Sequence, residues 1–139
     1  MEIRELIKED YHCGFLQLLE QLTTVDAANI TFQDFCQQSD NVTSKVFVIK
    51  IDNRIMGTAA VFIEHKFIHH LSSVAHIEDV VVDQNYRGVG LGKLLMNRCV
   101  EYAKTQNVYK IILDCDEKNV AFYEKCGFSC KNVQMSVYV

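Results

Sequence analysis

The segment Arg87-Gly88-Val89-Gly90-Leu91-Gly92-Lys93 sets three glycines at alternate positions between two basic side chains. A chain that turns through glycines into a helix leaves unpaired backbone N–H groups and the positive end of the helix dipole facing outward, which is an anion site. The residues that follow support such a helix: Leu91, Leu94, Leu95, Cys99 and Tyr102 share one face over about four turns. Two familiar phosphate loops fail on spacing. A P-loop needs glycine at 87 and Ser or Thr after the lysine, where the chain has Arg87 and Leu94; a dinucleotide GxGxxG begun at Gly88 breaks at Lys93, and begun at Gly90 it breaks at Leu95. The reading that stands is a diphosphate cradle. A merely flexible turn is the alternative, and three glycines opening an amphipathic helix argue against it.

Other reactive residue types carry no pattern of their own. His65, His69 and His70 lack helical i, i+4 spacing and a clear carboxylate partner, so no metal is expected. Cys13, Cys36, Cys99, Cys115, Cys126 and Cys130 contain no CxxC pair and read as reduced, partly buried thiols. Taken alone, Glu78 and Asp79 would be solvated strand-end acids, Tyr123 a packing aromatic, and Lys66 and Lys110 surface charges.

The elements that must position these residues follow from periodicity and turn chemistry. A strand is expected over Ile3 to Leu6. A helix should start near Asp10, with Phe15, Leu18, Leu19 and Leu22 on one face, and Thr31 with Asp34 forms a capping box for a second. Val46 to Ile51 and Ile55 to Ile63 read as a hairpin joined at Asp52, Asn53 and Arg54, and His76 to Val82 as another strand. Beyond the glycine-opened helix come a buried strand, Lys110 to Cys115, a short helix, Asn119 to Cys126, closed by Gly127, and an alternating last strand, Val133 to Val139. Strand, glycine loop, helix and strand place an anion at the carboxyl end of a strand in an α/β (α+β) fold.

Size and charge bound the rest. A chain of 139 residues, 49% apolar, fits one domain over 1–139. No uninterrupted apolar stretch approaches the roughly 18 to 20 residues of a membrane span, and MEIRELIKED lacks a signal core, so a cytoplasmic protein is expected. Net charge is -4 with Lys and Arg scattered singly, which argues against a nucleic-acid partner.

Arg87, Gly90 and Gly92 match the RxxGxG signature of the GCN5-related N-acetyltransferase (GNAT) superfamily, and the elements run in its order. Three longer stretches are more specific: His76-Ile77-Glu78-Asp79-Val80-Val81-Val82, Tyr109-Lys110-Ile111-Ile112-Leu113-Asp114-Cys115-Asp116-Glu117-Lys118-Asn119-Val120, and Phe122-Tyr123-Glu124-Lys125-Cys126-Gly127-Phe128. Together they resemble the glucosamine 6-phosphate N-acetyltransferase family. Leu22-Thr23-Thr24-Val25 and Ile63 to His69 extend the likeness over nearly the whole chain.

The resemblance implies a mixed, mostly antiparallel central sheet flanked by helices, with a V-shaped opening at the acetyl-CoA strand. It implies acetyl transfer from acetyl-CoA to the amine of glucosamine 6-phosphate, in UDP-N-acetylglucosamine biosynthesis. Val80, Val81 and Val82 are implied to offer backbone partners to the pantetheine arm, and Arg87, Gly88, Val89, Gly90, Leu91, Gly92 and Lys93 to hold the diphosphate. A bulge near Glu78 and Asp79 would aim the Val80 N–H at the reacting carbonyl oxygen. Glu78, Asp79 and Val80 are also implied to meet the sugar. Thr23, Lys66, Phe67, Ile68, His69, Tyr109 and Lys110 match positions around its phosphate, where lysine and histidine suit a dianion.

Tyr123 is implied to stabilise the leaving thiolate and Asp114 to orient the amine or a water. Asn119 resembles a cofactor contact, and an N-cap is an equally physical role for it. The acceptor of the ammonium proton stays open, with bulk water one candidate. Where members of the family can carry an arginine close to the C-terminus, this chain has Tyr138. The family also implies a homodimer whose last strand reaches the neighbour, and the alternation of Val133, Met135, Val137 and Val139 is compatible with that. The rival readings are an acetyltransferase for another amine (protein, polyamine or antibiotic) and a non-catalytic acetyl-CoA-binding module; the Lys66 to His69 and Tyr109-Lys110 matches weigh against the first, an intact Tyr123 and Asp114 against the second.

Overall fold

β-branched residues crowd 46–51 and 55–63, and between them Asp52 and Asn53 adopt φ of 49° and 62°, the left-handed pair that a two-residue hairpin turn requires. A computed structural model describes residues 1–139 and continues β2 (Lys45–Ile51) directly through that turn into β3 (Arg54–His65). With β1 (Glu2–Glu5), β4 (Ser73–Val82) and β5 (Val108–Ile112) they form one sheet in the order β1-β2-β3-β4-β5. All neighbours are antiparallel except β4 and β5. The expected mixed, mostly antiparallel sheet is present.

Strand alternation sends side chains to two cores. Phe47, Ile49, Ala59, Val61, Ala75 and Ile77 face α4 (Leu91–Lys104), which buries Leu91, Leu95, Met96, Cys99 and Ala103 against them. The buried stripe differs from the expected one: Leu94 is 39% exposed, and Met96 and Ala103 take the central positions. On the opposite face Val48, Ile55 and Val81 pack against Phe15, Leu16 and Leu18 of α1 (Phe15–Leu19), Ala27, and Phe35 of α2 (Phe32–Asn41). The Thr31 box caps α2 as read, with Asp34 N donating to Thr31 Oγ1 at 3.0 Å and Thr31 N to Asp34 Oδ2 at 3.0 Å.

Three expectations are corrected. The first helix does not run from Asp10: a tight 3-10 helix, Lys8–Cys13, ends at Gly14, whose φ of 83° breaks the path before α1 begins. The helical apolar spacing runs across that break. The strand after α4 starts two residues earlier than expected and is a half-exposed edge, because nothing in the chain pairs with its outer side. The segment 129–139 forms no strand; Val133, Met135 and Val137 are 88%, 92% and 85% exposed, having no neighbouring strand to pair with.

Two irregularities shape β4. Its pairing with β5 begins at Ser73↔Val108 and ends at His76↔Ile112, while β4 runs on to Val82, so the sheet opens as a V beyond His76. On the other side, Thr58 pairs with Val81 and Ala60 with Glu78, leaving Asp79 and Val80 together opposite Ala59. This is the bulge expected near Glu78 and Asp79, and Asp79 takes a φ of 53° to make it. No helix is long and apolar enough to cross a membrane.

Candidate active site

The glycine loop follows β4 and is fastened on its β4 side. Arg87 Nε donates to the Val82 carbonyl at 3.2 Å. Gln21, beyond α1, donates to Asp83 Oδ2 at 2.9 Å and accepts from Gln84 N at 3.0 Å, so the turn containing Thr23 is bolted to the end of β4. Sequence reasoning passed over Gln21, since nothing in its neighbours predicts a partner 62 residues away. Gly88 and Gly90 have φ of 82° and 91°, and a Cβ on either would meet nothing within 4 Å, so the space above them is open. Gly90 is the N-cap of α4 and supplies no side-chain capping bond, so the first amides of the helix stay available. Gly92 does something else. A Cβ there would come within 2.9 Å of the Phe122 ring, so the third glycine lets α5 (Val120–Lys125) lie close against α4.

Gly90→Ala is expected to weaken acetyl-CoA binding about tenfold, because a Cβ at a left-handed φ costs roughly 1–2 kcal/mol and tilts the amides. Calorimetric titration checks it; the Michaelis constant for the amine should stay put.

That close approach holds Tyr123 beside the loop. Its ring meets Phe122 at 5.0 Å and Phe128 at 6.3 Å, both near perpendicular. Burial pushes its phenol up to about 12, with lesser contributions from Cys115, Cys126 and Cys99 around it. The hydroxyl is therefore a proton donor throughout the working range. Asn119 is at the N-cap of α5 but makes no side-chain capping bond, which leaves its amide free for a ligand.

The arms of the V bring carboxylates together. Glu78 stands on β4 and Asp114 follows β5; the Glu78 carboxyl is raised above its ordinary value by desolvation, then by Asp79, with Asp114 adding to the effect and His76 opposing it. Glu78, Asp79 and Asp114 thus share one field, suited to a substrate ammonium. Asp114 accepts from Gln134 Nε2 at 3.1 Å, which ties the C-terminal segment to this spot.

Basic side chains gather at the closed end. His69 stacks on Tyr109 at 4.0 Å and 28°, and Lys110 Nζ lies 5.7 Å from the same ring. Lys66 Nζ is 3.5 Å from Glu64 Oε2, and the other oxygen of Glu64 bonds His76 Nε2 at 3.0 Å. The Glu64–His76 pair escaped sequence reasoning because it depends on hairpin register. Phe67 and Ile68 are not gathered in: they are 94% and 54% exposed. They adjoin α3 (Ile68–Leu71), a single turn in which His69, His70 and Leu71 all have positive φ, a left-handed run that L-residues resist. His65 is spent on Ser73 Oγ at 3.0 Å. No three His, Cys, Asp or Glu side chains form a group that could hold a metal ion.

Residues 2–128 match the model of the acetyltransferase (GNAT) family. The chain belongs to that family. It is similar to the glucosamine 6-phosphate N-acetyltransferase of Arabidopsis thaliana, 38% identical over 99% of this chain and 95% of the relative. It is 42% identical to the Trypanosoma brucei brucei enzyme of the same name, over 97% of this chain and 93% of that one. The crystal structure of the Arabidopsis enzyme superposes with a TM-score of 0.95, covering 99% of this chain and 97% of that one.

This GNAT chain uses acetyl-CoA as co-substrate, and its residues fit the ligand. The open space over Gly88 and Gly90 and the uncapped start of α4 accept a diphosphate. The β5-facing edge of β4 from Ile77 to Val82 has no strand partner and can pair with an extended amide-bearing arm.

Proposed function

We propose that the protein acetylates the amine of D-glucosamine 6-phosphate, giving N-acetylglucosamine 6-phosphate and CoA, a step of UDP-N-acetylglucosamine biosynthesis. The observation that carries this reading is the polarity of one sheet face along β4. Carboxylates lie at Glu78, Asp79 and Asp114; at the other end Lys110 and Glu64 flank Val74, with Lys66 on Glu64 and the imidazole of His69 on Tyr109 nearby. Four residue-to-residue steps of strand lead from Val74 to Glu78, about 13 Å of rise at roughly 3.3 Å each. With side chains leaning inward, that span suits a small molecule with an amine at one end and a dianion at the other. The names borne by the similar sequences support the same acceptor.

The residues then take defined roles. Bound acetyl-CoA supplies the acetyl group as a thioester and leaves as the thiol. Arg87, Gly88, Val89, Gly90, Leu91, Gly92 and Lys93 hold its diphosphate, Val80, Val81 and Val82 pair with its arm, and Asn119 adds a side-chain contact. The bulge at Asp79 and Val80 frees a backbone N–H to face the reacting carbonyl. Glu78 and Asp114 hold the amine, Tyr123 donates to the departing sulfur, and Lys66, His69, Tyr109 and Lys110 hold the phosphate; Thr23, on the turn fastened to the far end of β4, and the exposed Phe67 and Ile68 lie outside that cluster.

The reading spans residues 1–139 as one acetyltransferase unit in the cytoplasm, where the six free cysteines would stay reduced. It includes a homodimer, supported by the unpaired outer edge of β5 and the exposed apolar alternation at 133–139. A partner could cover Phe67 and Ile68 as well, which would bring them into the site.

The deciding experiment follows thiol release from acetyl-CoA with glucosamine 6-phosphate, glucosamine and a lysine peptide. Release is expected with the sugar phosphate at a kcat/KM at least 100-fold above the other two, roughly the discrimination lost when a charged site meets no charge. Release with the peptide alone rejects the acceptor.

A further inference from the structure

His76 occupies the vertex of the V: it is the last β4 residue paired with β5 before the strands part. Two residues on, along the same face, stands Glu78. The ring of His76 is half-buried against Phe62, 5.9 Å between centroids, and its Nε2 bonds Glu64 Oε1 at 3.0 Å. Glu64 in turn is held by Lys66 at 3.5 Å. The His76 hydrogen bond is the main reason the Glu64 carboxyl lies below the ordinary glutamate range, and since a carboxylate only accepts, Nε2–H is the donor in this bond. In the neutral ring, the tautomer that this bond selects leaves the lone pair on Nδ1. The charged groups around the ring are Glu64 and Lys66 from β3 and the residue after it, Glu78 on β4, Lys110 on β5 and Asp114 beyond it.

We propose that His76, oriented by Glu64, takes the proton that the bound substrate ammonium must shed before its nitrogen can attack. This rests on the reading of the fork as the amine site. One N–H bond of the ammonium breaks, its electron pair stays on nitrogen as the nucleophilic lone pair, and the proton bonds to Nδ1 directly or through one water. The resulting imidazolium is stabilised by the Glu64 carboxylate and later returns the proton to solvent. His76 is the proton acceptor and Glu64 a positioning residue, the arrangement that lets a carboxylate fix the tautomer of a working imidazole.

The test uses purified His76→Ala, His76→Gln and Glu64→Gln with steady-state kinetics and thermal melts. Both His76 variants should lose about 100-fold in kcat, with Michaelis constants for both substrates within about threefold of wild type. Added imidazole should restore His76→Ala severalfold and leave wild type and His76→Gln unchanged, because only the alanine variant has room for it. Glu64→Gln should lose about tenfold. A kcat within threefold of wild type in either His76 variant overturns the proposal, as does a loss in folded His76→Ala that imidazole cannot restore. If His76→Ala does not fold, His76→Gln decides by the same kcat and KM criteria. Rates are taken with whichever amine the wild type acetylates, so a wild type inactive on glucosamine 6-phosphate rejects the acceptor and leaves the test of His76 standing.

Discussion

Tyr123→Phe is expected to lower kcat about 100-fold while the dissociation constant for acetyl-CoA changes less than about twofold. The ring stays and the packing against Phe122 and Phe128 stays with it, so only the hydroxyl is lost. A phenol raised to about 12 by burial cannot hand its proton outright to a thiolate whose parent thiol has a pKa near 8.5. The gap of roughly 3.5 pKa units makes full transfer uphill by about 5 kcal/mol. Its contribution is a hydrogen bond that strengthens as charge gathers on sulfur, which lowers the barrier without tightening the ground state. Because the phenol is shifted upward, the neutral donor persists from acid pH to near its value of about 12, and no alkaline fall in kcat below about pH 11 should trace to Tyr123. Stopped-flow thiol release paired with calorimetry separates the two quantities. Equal losses in rate and affinity would make Tyr123 a packing residue.

Several local signals in the chain hold in the fold. Asp52 and Asn53 fix the hairpin, Thr31 and Asp34 cap α2, and three alternate glycines open α4, because each is decided by residues within one turn of one another. The division of labour among those glycines was not legible: Gly88 and Gly90 border open space while Gly92 meets Phe122, a contact set by how α5 folds back. The same holds for the fork. Nothing near residue 112 says that β5 stops pairing there, yet that stop separates the strands and lets Glu78 and Asp114 face one space. Gly14 carried a visible signal that was outweighed by apolar periodicity, although a glycine amid a helical pattern is a standing invitation to a left-handed cap. The tail from 129 to 139 has strand-like alternation and no strand, since period describes what a segment could bury and pairing requires a neighbour.

Asp10→Ala is expected to destabilise the fold by about 2–4 kcal/mol, since the hydrogen bonds to a buried carboxylate are lost while the partner Arg4, 26% exposed, keeps access to water. Asp10 is 1% exposed and accepts from Arg4 at 2.8 and 3.0 Å and from Ile7 N at 3.0 Å. It thereby joins β1 to the 3-10 helix that leads into α1, and so to the turn that Gln21 fastens under the glycine loop. Desolvation pushes its carboxyl upward, but the Arg4 and Ile7 hydrogen bonds outweigh it and hold the group below the ordinary aspartate value. A depressed carboxyl contributes its stability above the unfolded value, near 3.9, and loses it as pH falls through the lower folded value. Wild type should therefore lose stability below about pH 4 more steeply than Asp10→Ala, so the gap measured by urea unfolding at pH 7 narrows at pH 3. Asp10→Asn keeps an acceptor for Ile7 N and should fall between the two. A gap that stays constant from pH 7 to pH 3 would mean that the alanine penalty is cavity and backbone, with the ion pair contributing nothing.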